Sequence, residues 1–358
     1  MLDHLYALAA RARRRRFERR PGERRRLARP VISVGNLSVG GTGKTPLVIA
    51  ITRALLAAGE RPAVLSRGYG RAVAREGVVA VADRAGIRAG LDESGDEPLL
   101  IARAAPGAIV CVAEDRWLAG VLAERRLGAT VHVLDDGFQH TRLARDLDIL
   151  VTSPGEIAGG RVLPAGRLRE GADAAARADL LVVVGAGVEA ARQEAWTLGV
   201  HEAVGAARVP GAARMLDAGG GDPEALRRSG APAVAVAGIA HPARFFEELR
   251  AAGWTIAREL VFRDHHRFGA ADLRRIGAAA TGAGAALVIT TEKDAIRLAA
   301  AGPLPCPVAA APMTMACEPE GALMAAVDEA IARARAAAAA VAPWPPLAPV
   351  RAVVEAAG

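Results

Sequence analysis

From Pro30 onward, short runs of β-branched and aliphatic residues alternate with longer stretches whose apolar positions recur every three or four residues. VISVG (31–35), PAVLS (62–66), AIVCVA (108–113), TVHVLD (130–135), LDILVT (147–152) and DLLVVV (179–184) are almost continuously apolar, the pattern of strands covered on both faces. Between them, Pro46–Ala58, Pro98–Ala105 and Asp115–Leu127 carry helical spacing. This alternation predicts an α/β fold on a mostly parallel, doubly wound sheet. A looser Gly-, Ala- and Arg-rich region spans about 185–230. A second α/β set follows, with AVAVAGI (233–239), a helix around Phe245–Ala252 and ALVITTEKD (286–294). The expected organisation is an N-terminal segment 1–29, a larger domain 30–200, a linker 201–230, a smaller α/β domain 231–335 and a low-complexity tail 336–358.

Composition refines this picture. At 358 residues the chain can build two cores, and with aromatics at 3% those cores must be aliphatic. Cys111, Cys306 and Cys317 are too scattered for a zinc site or a disulfide framework, so buried thiols in a reducing compartment are expected. The net charge of +7 is local: residues 1–30 carry +8 and the remainder −1. A general nucleic-acid-binding surface is therefore not indicated. Lys44 and Lys293 stand beside 44 arginines, and Asn36 is the only asparagine. A lysine kept in such a background marks a place suited to a compact ammonium. The longest uncharged stretch, Leu298–Cys317, contains four prolines and is no membrane span. The first twenty residues lack the apolar run of a signal peptide. They pattern instead as a short helix, with Leu2, Leu5, Tyr6, Leu8 and Ala9 apolar before the arginines begin.

The chemistry begins at VGNLSVGGTGKTPLV (34–48). A strand, a Gly-rich turn and a helix surround Gly-Lys-Thr, the context of a phosphate-binding loop. Ser38 stands where the usual first glycine would be, which is allowed if the loop entry has ordinary φ. Ser38, Val39, Gly40, Gly41, Thr42, Gly43, Lys44 and Thr45 are the candidate nucleotide contacts: backbone amides cradle phosphate, Lys44 reaches the outer phosphates and Thr45 faces Mg²⁺. The strand 130–135 ends in Asp135 and Asp136, where a metal-binding acid should sit across the sheet edge. No Asn-Lys-x-Asp guanine-reading motif exists, which favours ATP over GTP. His132 and Cys111 lie within apolar strands and read as core.

Together with LSRGYGR (65–71), GDEPLLIA (95–102), LDDGFQHTRLARDLDI (134–149), LPAGRLRE (163–170), AGIAHPARFF (237–246), FRDHHRF (262–268) and TTEKDAIRL (290–298), these residues resemble the tetraacyldisaccharide 4′-kinases of lipid A synthesis. That family carries Ser or Thr at the position of Ser38. The resemblance, which runs to about residue 300, implies ATP and Mg²⁺ as cofactors. It implies as substrate an acylated glucosamine disaccharide 1-phosphate, phosphorylated at its 4′-hydroxyl. It further implies a catalytic dyad of Asp96 and His265, with His266 as the alternative partner, and domain closure to unite them. Asp135, Asp136 and Glu170, with Thr45, are implied around the metal. Arg67, Tyr69 and Arg71 either hold the substrate's phosphate or sugar or form a turn solvated by arginines. Lys293 either clamps the nucleotide from the smaller domain or pairs with Asp294.

Residues 2–29 are expected to lie on the cytoplasmic face of the inner membrane, leucines and Tyr6 in the headgroup region and arginines on anionic phosphates, making the protein peripheral or monotopic. A nucleic-acid-dependent ATPase is the main alternative, but no aromatic stacking platform accompanies the basic terminus, so no nucleic-acid partner is expected. A soluble small-molecule kinase or ligase would not need the amphipathic start.

Overall fold

The computed structural model describes residues 11–12, 14–15, 19–73, 77–216, 221–304 and 306–339. In the first half the strands are β1 (Val31–Gly35), β2 (Pro62–Ser66), β3 (Val79–Asp83), β4 (Gly86–Ile87), β5 (Ile109–Val112), β6 (Val131–Asp135), β7 (Leu147–Thr152) and β8 (Leu180–Val184). Then come β9 (Glu202–Pro210), β10 (Arg214–Met215), β11 (Pro232–Ala237), β12 (Thr255–Val261), β13 (Leu287–Thr291), β14 (Val308–Ala311) and β15 (Met313–Glu318).

Ten of them form one sheet in the order β15-β9-β8-β7-β1-β6-β2-β5-β3-β4. Its centre, from β9 to β5, is parallel throughout, and the outer pairings β15–β9, β3–β5 and β3–β4 are antiparallel. Strands β1, β2, β6 and β7 are buried along their whole length, which is why their sequences are continuously apolar. The helix Lys44–Ala57 lays Leu47, Val48, Ile51 and Leu55 on this sheet. Asp115 caps the helix Arg116–Arg126 by accepting from Trp117 N at 3.0 Å.

The second sheet has the order β10-β14-β13-β11-β12, parallel except for β10. The helices Pro242–Ala251 and Ala270–Gly282 cover it with separate clusters around Phe245 and Phe246 and around Leu273 and Ile276.

Three expectations need correction. The region expected as a loose linker contains the helix Val188–Leu198, strand β9 in the first sheet and the helix Pro223–Arg228. Its strand was hidden because EAVGAARVP lacks large aliphatics. The expected smaller domain is not continuous to 335: β15 returns to the first sheet beside β9, and Leu323, Val327, Ala330 and Ile331 of the helix Ala322–Ala339 join the main core. The tail was expected from 336, yet residues 336–339 end that helix, and 340–358 lie outside the described residues. The two crossings between sheets run side by side, Gly211 N donating to Pro312 O at 2.8 Å.

The apolar positions Leu2, Leu5, Tyr6, Leu8 and Ala9 also lie outside the described residues. Leu27 is buried and touches the first sheet's covering helix at Gly120, where an added Cβ would come 2.2 Å from Leu27 Cδ1. Among the described residues, no helix is long and apolar enough to cross a membrane.

Candidate active site

β1 and β6 are neighbours in the sheet, so the loop after β1 and the acids after β6 emerge side by side at its carboxyl edge. Gly40 (φ 121°) and Gly43 (φ 90°) take positive φ, which glycine adopts without penalty. Ser38 does not; it forms an antiparallel bridge to Leu168, and Val39 N donates to Arg167 O at 2.8 Å. The loop entry is therefore strand-like, and a side chain is tolerated there.

Asn36 is fully buried and organises the loop. Its Nδ2 donates to Thr42 Oγ1 at 2.9 Å and Ser38 Oγ at 3.3 Å, while its Oδ1 accepts from Lys44 Nζ at 2.7 Å. Gln139 Nε2 donates to the Asn36 carbonyl at 2.8 Å. Lys44 Nζ also meets Asp136 Oδ1 at 2.7 Å. Thr45 is buried at the start of the helix.

Asp136 has φ 53°, one of two non-glycine residues with positive φ among those described. Such a conformation costs on the order of 1–3 kcal/mol and collects at functional sites. Burial opposes ionisation of Asp136, but Lys44 and Arg169, whose Nη1 is 2.7 Å from Asp136 Oδ2, outweigh it and hold the carboxyl below its usual range. Asp135 is buried, with Ser66 Oγ donating to its Oδ2 at 3.0 Å. Burial first, then repulsion from Glu97 and Asp136, pushes its pKa up.

Glu170 is engaged by arginines. Among the described residues no three His, Cys, Asp or Glu side chains are grouped to hold a metal. The Glu170 carboxylate accepts from Arg177 Nη2 at 3.1 Å and lies 3.7 Å from Arg14 Nη1. Two guanidiniums thus hold the Glu170 carboxylate. Asp135, Asp136 and the Thr45 hydroxyl offer hard oxygen donors of the kind Mg²⁺ takes. The crowding of negative charge on Asp135 is what a divalent cation would relieve.

The other half of the site lies where the second sheet's unit meets the helix Asp96–Ala104 of the first. Gly95, at φ 81° and ψ 169°, turns the chain into the helix Asp96–Ala104; an added Cβ there would lie 2.5 Å from Tyr69 O. Asp96 opens this helix, and its Oδ2 lies 3.0 Å from His265 Nδ1. His265, at φ 56°, is the second positive-φ non-glycine residue. With the proton on Nδ1, the ring donates to Asp96 and leaves the Nε2 lone pair open. Asp264 Oδ1 is 3.9 Å from Nε2, beyond hydrogen-bond reach.

Arg297, 4% exposed, fastens this pair. Its Nε donates to Asp96 Oδ2 at 2.9 Å and Nη2 also bonds that oxygen, while Nη1 donates to Gly238 O and Asp294 Oδ1, each at 3.0 Å. Burial opposes ionisation of Asp96, but His265 and Arg297 hold its carboxyl well below the usual range.

His266 faces elsewhere: its Nε2 is 3.0 Å from Asp272 Oδ2 and its ring stacks on Phe262 at 4.9 Å. Tyr69 is exposed, with its ring 5.9 Å from that of His265. Arg67 is exposed, and Arg71 is half-buried with its Nη1 enclosed and unpartnered. Lys293 does not pair with Asp294; its Nζ donates to Glu97 Oε1 at 2.5 Å. His132 is buried against Glu124 at 3.0 Å, and Cys111 is buried in β5.

Sequence reading missed Arg169, Gln139, Glu97, Arg297 and Arg116. Arg116 is buried beneath the acid pair, desolvation lowering its pKa against the pull of Asp136 and Asp135. All but Arg116 lie inside the quoted motifs, but nothing local says which charges face inward.

The family model described as tetraacyldisaccharide-1-P 4′-kinase matches residues 1–332. A tetraacyldisaccharide 4′-kinase of Geobacter metallireducens is 43% identical over 298 residues, covering 82% of this chain and 86% of that protein. The Geobacter sulfurreducens protein of that name is 43% identical over 300 residues, 83% of this chain and 82% of its own. The crystal structure of LpxK from Aquifex aeolicus, described as an "apo" form in complex with ATP, is similar at 29% identity and a TM-score of 0.72. That likeness covers 92% of this chain and 97% of the other.

Proposed function

Since the chain belongs to the tetraacyldisaccharide-1-phosphate 4′-kinase family, we propose that it transfers the γ-phosphate of ATP to the 4′-hydroxyl of the acylated disaccharide 1-phosphate that precedes lipid A. The observation that carries the reading to this chain's own residues is the 3.0 Å contact between Asp96 and His265, which arise from different sheets and meet one residue from Glu97.

In this reading the amides of residues 39–44 and the helix N-terminus receive the triphosphate, and Lys44 turns from Asp136 to the outer phosphates. Thr45, Asp135, Asp136 and Glu170 would hold Mg²⁺, which would supply positive charge to the phosphates. Asp96 fixes the His265 ring. Nε2 then takes the proton of the 4′-hydroxyl as that oxygen attacks phosphorus. Arg297 keeps Asp96 ionised and in register. The unit on the second sheet closes over the nucleotide about the paired crossings at Gly211 and Pro312. Arg67, Tyr69 and Arg71 follow β2, where the Tyr69 ring comes 5.9 Å from that of His265, and they receive the acceptor's sugar or 1-phosphate.

Residues 2–29 dock the protein on the cytoplasmic face of the inner membrane, with arginines meeting anionic headgroups. Leu27 is buried in the protein, so the membrane-facing part lies N-terminal to it. Flotation with anionic vesicles should be lost on deleting residues 1–9; equal retention of both proteins would remove the membrane role.

The test of activity follows labelled γ-phosphate from ATP into the disaccharide 1-phosphate in detergent micelles, with the product's position fixed by mass spectrometry. A 4′-phosphate is expected. ATP hydrolysis stimulated by DNA, with no lipid product, would refute the reading.

A further inference from the structure

Both lysines of a chain with 44 arginines lie at one junction. Lys44 Nζ pairs with Asp136 at 2.7 Å, and Lys293 Nζ, from the other unit, pairs with Glu97 at 2.5 Å. Lys293 and Arg297 stand one turn apart on the helix Glu292–Ala300, and their partners Glu97 and Asp96 are adjacent on the helix Asp96–Ala104. The two ion pairs differ in kind. Arg297 is 4% exposed and spreads its guanidinium over Asp96, Asp294 and Gly238, the fixed bracing a planar fork does well. The Lys293 side chain is 25% exposed, and its ammonium meets a carboxylate whose charge is also felt by Lys44 and Asp136.

A static bridge between units would not need lysine; arginine serves in Arg297–Asp96, Arg208–Glu248 and Arg267–Asp92. A compact ammonium on a flexible stem suits a charge that changes partner. Lys293 occupies the first turn of its helix, directly after β13, on the side that faces the phosphate loop through Glu97.

We propose that Lys293 is a second ammonium for the terminal phosphate of ATP, held on Glu97 until the triphosphate arrives. This rests on the kinase reading and adds to it a residue that touches the transferred group. The charge balance is direct. Without nucleotide each lysine neutralises a protein carboxylate. With nucleotide both turn to the γ-phosphate, and Glu97, losing Lys293, no longer ties the units in that geometry. Nucleotide binding would thereby loosen one brace between the units while Arg297 keeps the other.

The experiment measures affinities for Mg·ATP and Mg·ADP by calorimetry on the full chain as wild type, Lys293→Met, Glu97→Gln and the double variant. A contact to the γ-phosphate predicts that Lys293→Met weakens ATP about tenfold or more while moving ADP less than about twofold. The same selective loss should appear when Lys293→Met is made in the Glu97→Gln background. An unchanged ATP-to-ADP ratio in Lys293→Met, or a loss that disappears once Glu97 is Gln, would make Lys293 an inter-unit bridge only and overturn the proposal. A wild-type chain that binds neither nucleotide would overturn the kinase reading as well, which separates the two failures.

Discussion

Replacing Arg297 with Met removes the group that fastens the second unit to the first. The guanidinium donates to Asp96 Oδ2 at 2.9 Å through Nε and again through Nη2, and to Gly238 O and Asp294 Oδ1 at 3.0 Å. Met fills similar length without a donor. Asp294, fully buried, keeps Gly238 N at 2.9 Å and Thr291 Oγ1 at 2.8 Å on Oδ2 but loses the donor on Oδ1, while Asp96 keeps His265, so both carboxylates lose their guanidinium. Breaking a buried ion pair from one side costs about 3–5 kcal/mol, and with Asp96 14% exposed but Asp294 fully buried the loss should be about 3 kcal/mol or more. At about 2–4 °C per kcal/mol, the melting temperature should fall by about 6–12 °C. Turnover should fall about 100-fold, because Asp96 loses the anchor that sets it against His265. Arg297→Lys keeps the charge but not the fork, and should recover part of the stability and little of the rate. Scanning calorimetry and labelled phosphate transfer read the two effects. A Met variant that melts within about 1 °C of wild type and turns over normally would refute the reasoning.

The ionisation of Asp96 gives a pH signature. Its carboxyl is held below the usual range in the folded protein, so its stabilising contribution is present above the unfolded-state pKa of about 4 and is lost as pH falls through the lower folded value. The stability gap between wild type and Asp96→Asn, from urea midpoints, should not shrink between about pH 8 and 5 and should shrink below about pH 4; shrinkage at neutral pH would contradict this. Burial pushes the Cys111 thiol up to about 12, so peptide mapping after iodoacetamide at pH 8 should find it unlabelled in folded protein and labelled in denaturant. Equal labelling in both states would show that β5 opens. Gly120→Val should drive Leu27 off its seat, since even a Cβ would come 2.2 Å from Leu27 Cδ1, and limited proteolysis should then cut the arginine-rich segment faster. Unchanged cleavage would mean Leu27 is not what holds it.

Where strands are buried on both faces, the sequence pattern located them: VISVG, PAVLS and LDILVT coincide with β1, β2 and β7. The elements missed were those without that signature. β12 (TIARELV) is an edge strand exposed along most of its length, and β9 and β15 are built from Ala, Gly, Met and Arg. At the site, the local chemistry of residues 34–48 was legible because the loop, its lysine and its helix are contiguous. Lys293–Glu97 and Arg297–Asp96 span 196 and 201 residues, so only the topology brings them together. Glu170 likewise has partners that no local pattern names, Arg177 and Arg14. Asn36 was visible only as a compositional oddity, and its bond to Lys44 supplies the reason for it.

The most direct measurement is a double-mutant cycle on phosphate transfer to the disaccharide at saturating ATP, with wild type, Asp96→Asn, His265→Gln and the pair together. If the two side chains act as one base assembled across the units, each single change should cost about 100-fold or more in kcat and the double little beyond the worse single. Near-normal kcat in His265→Gln, or losses that simply multiply in the double variant, would contradict that claim.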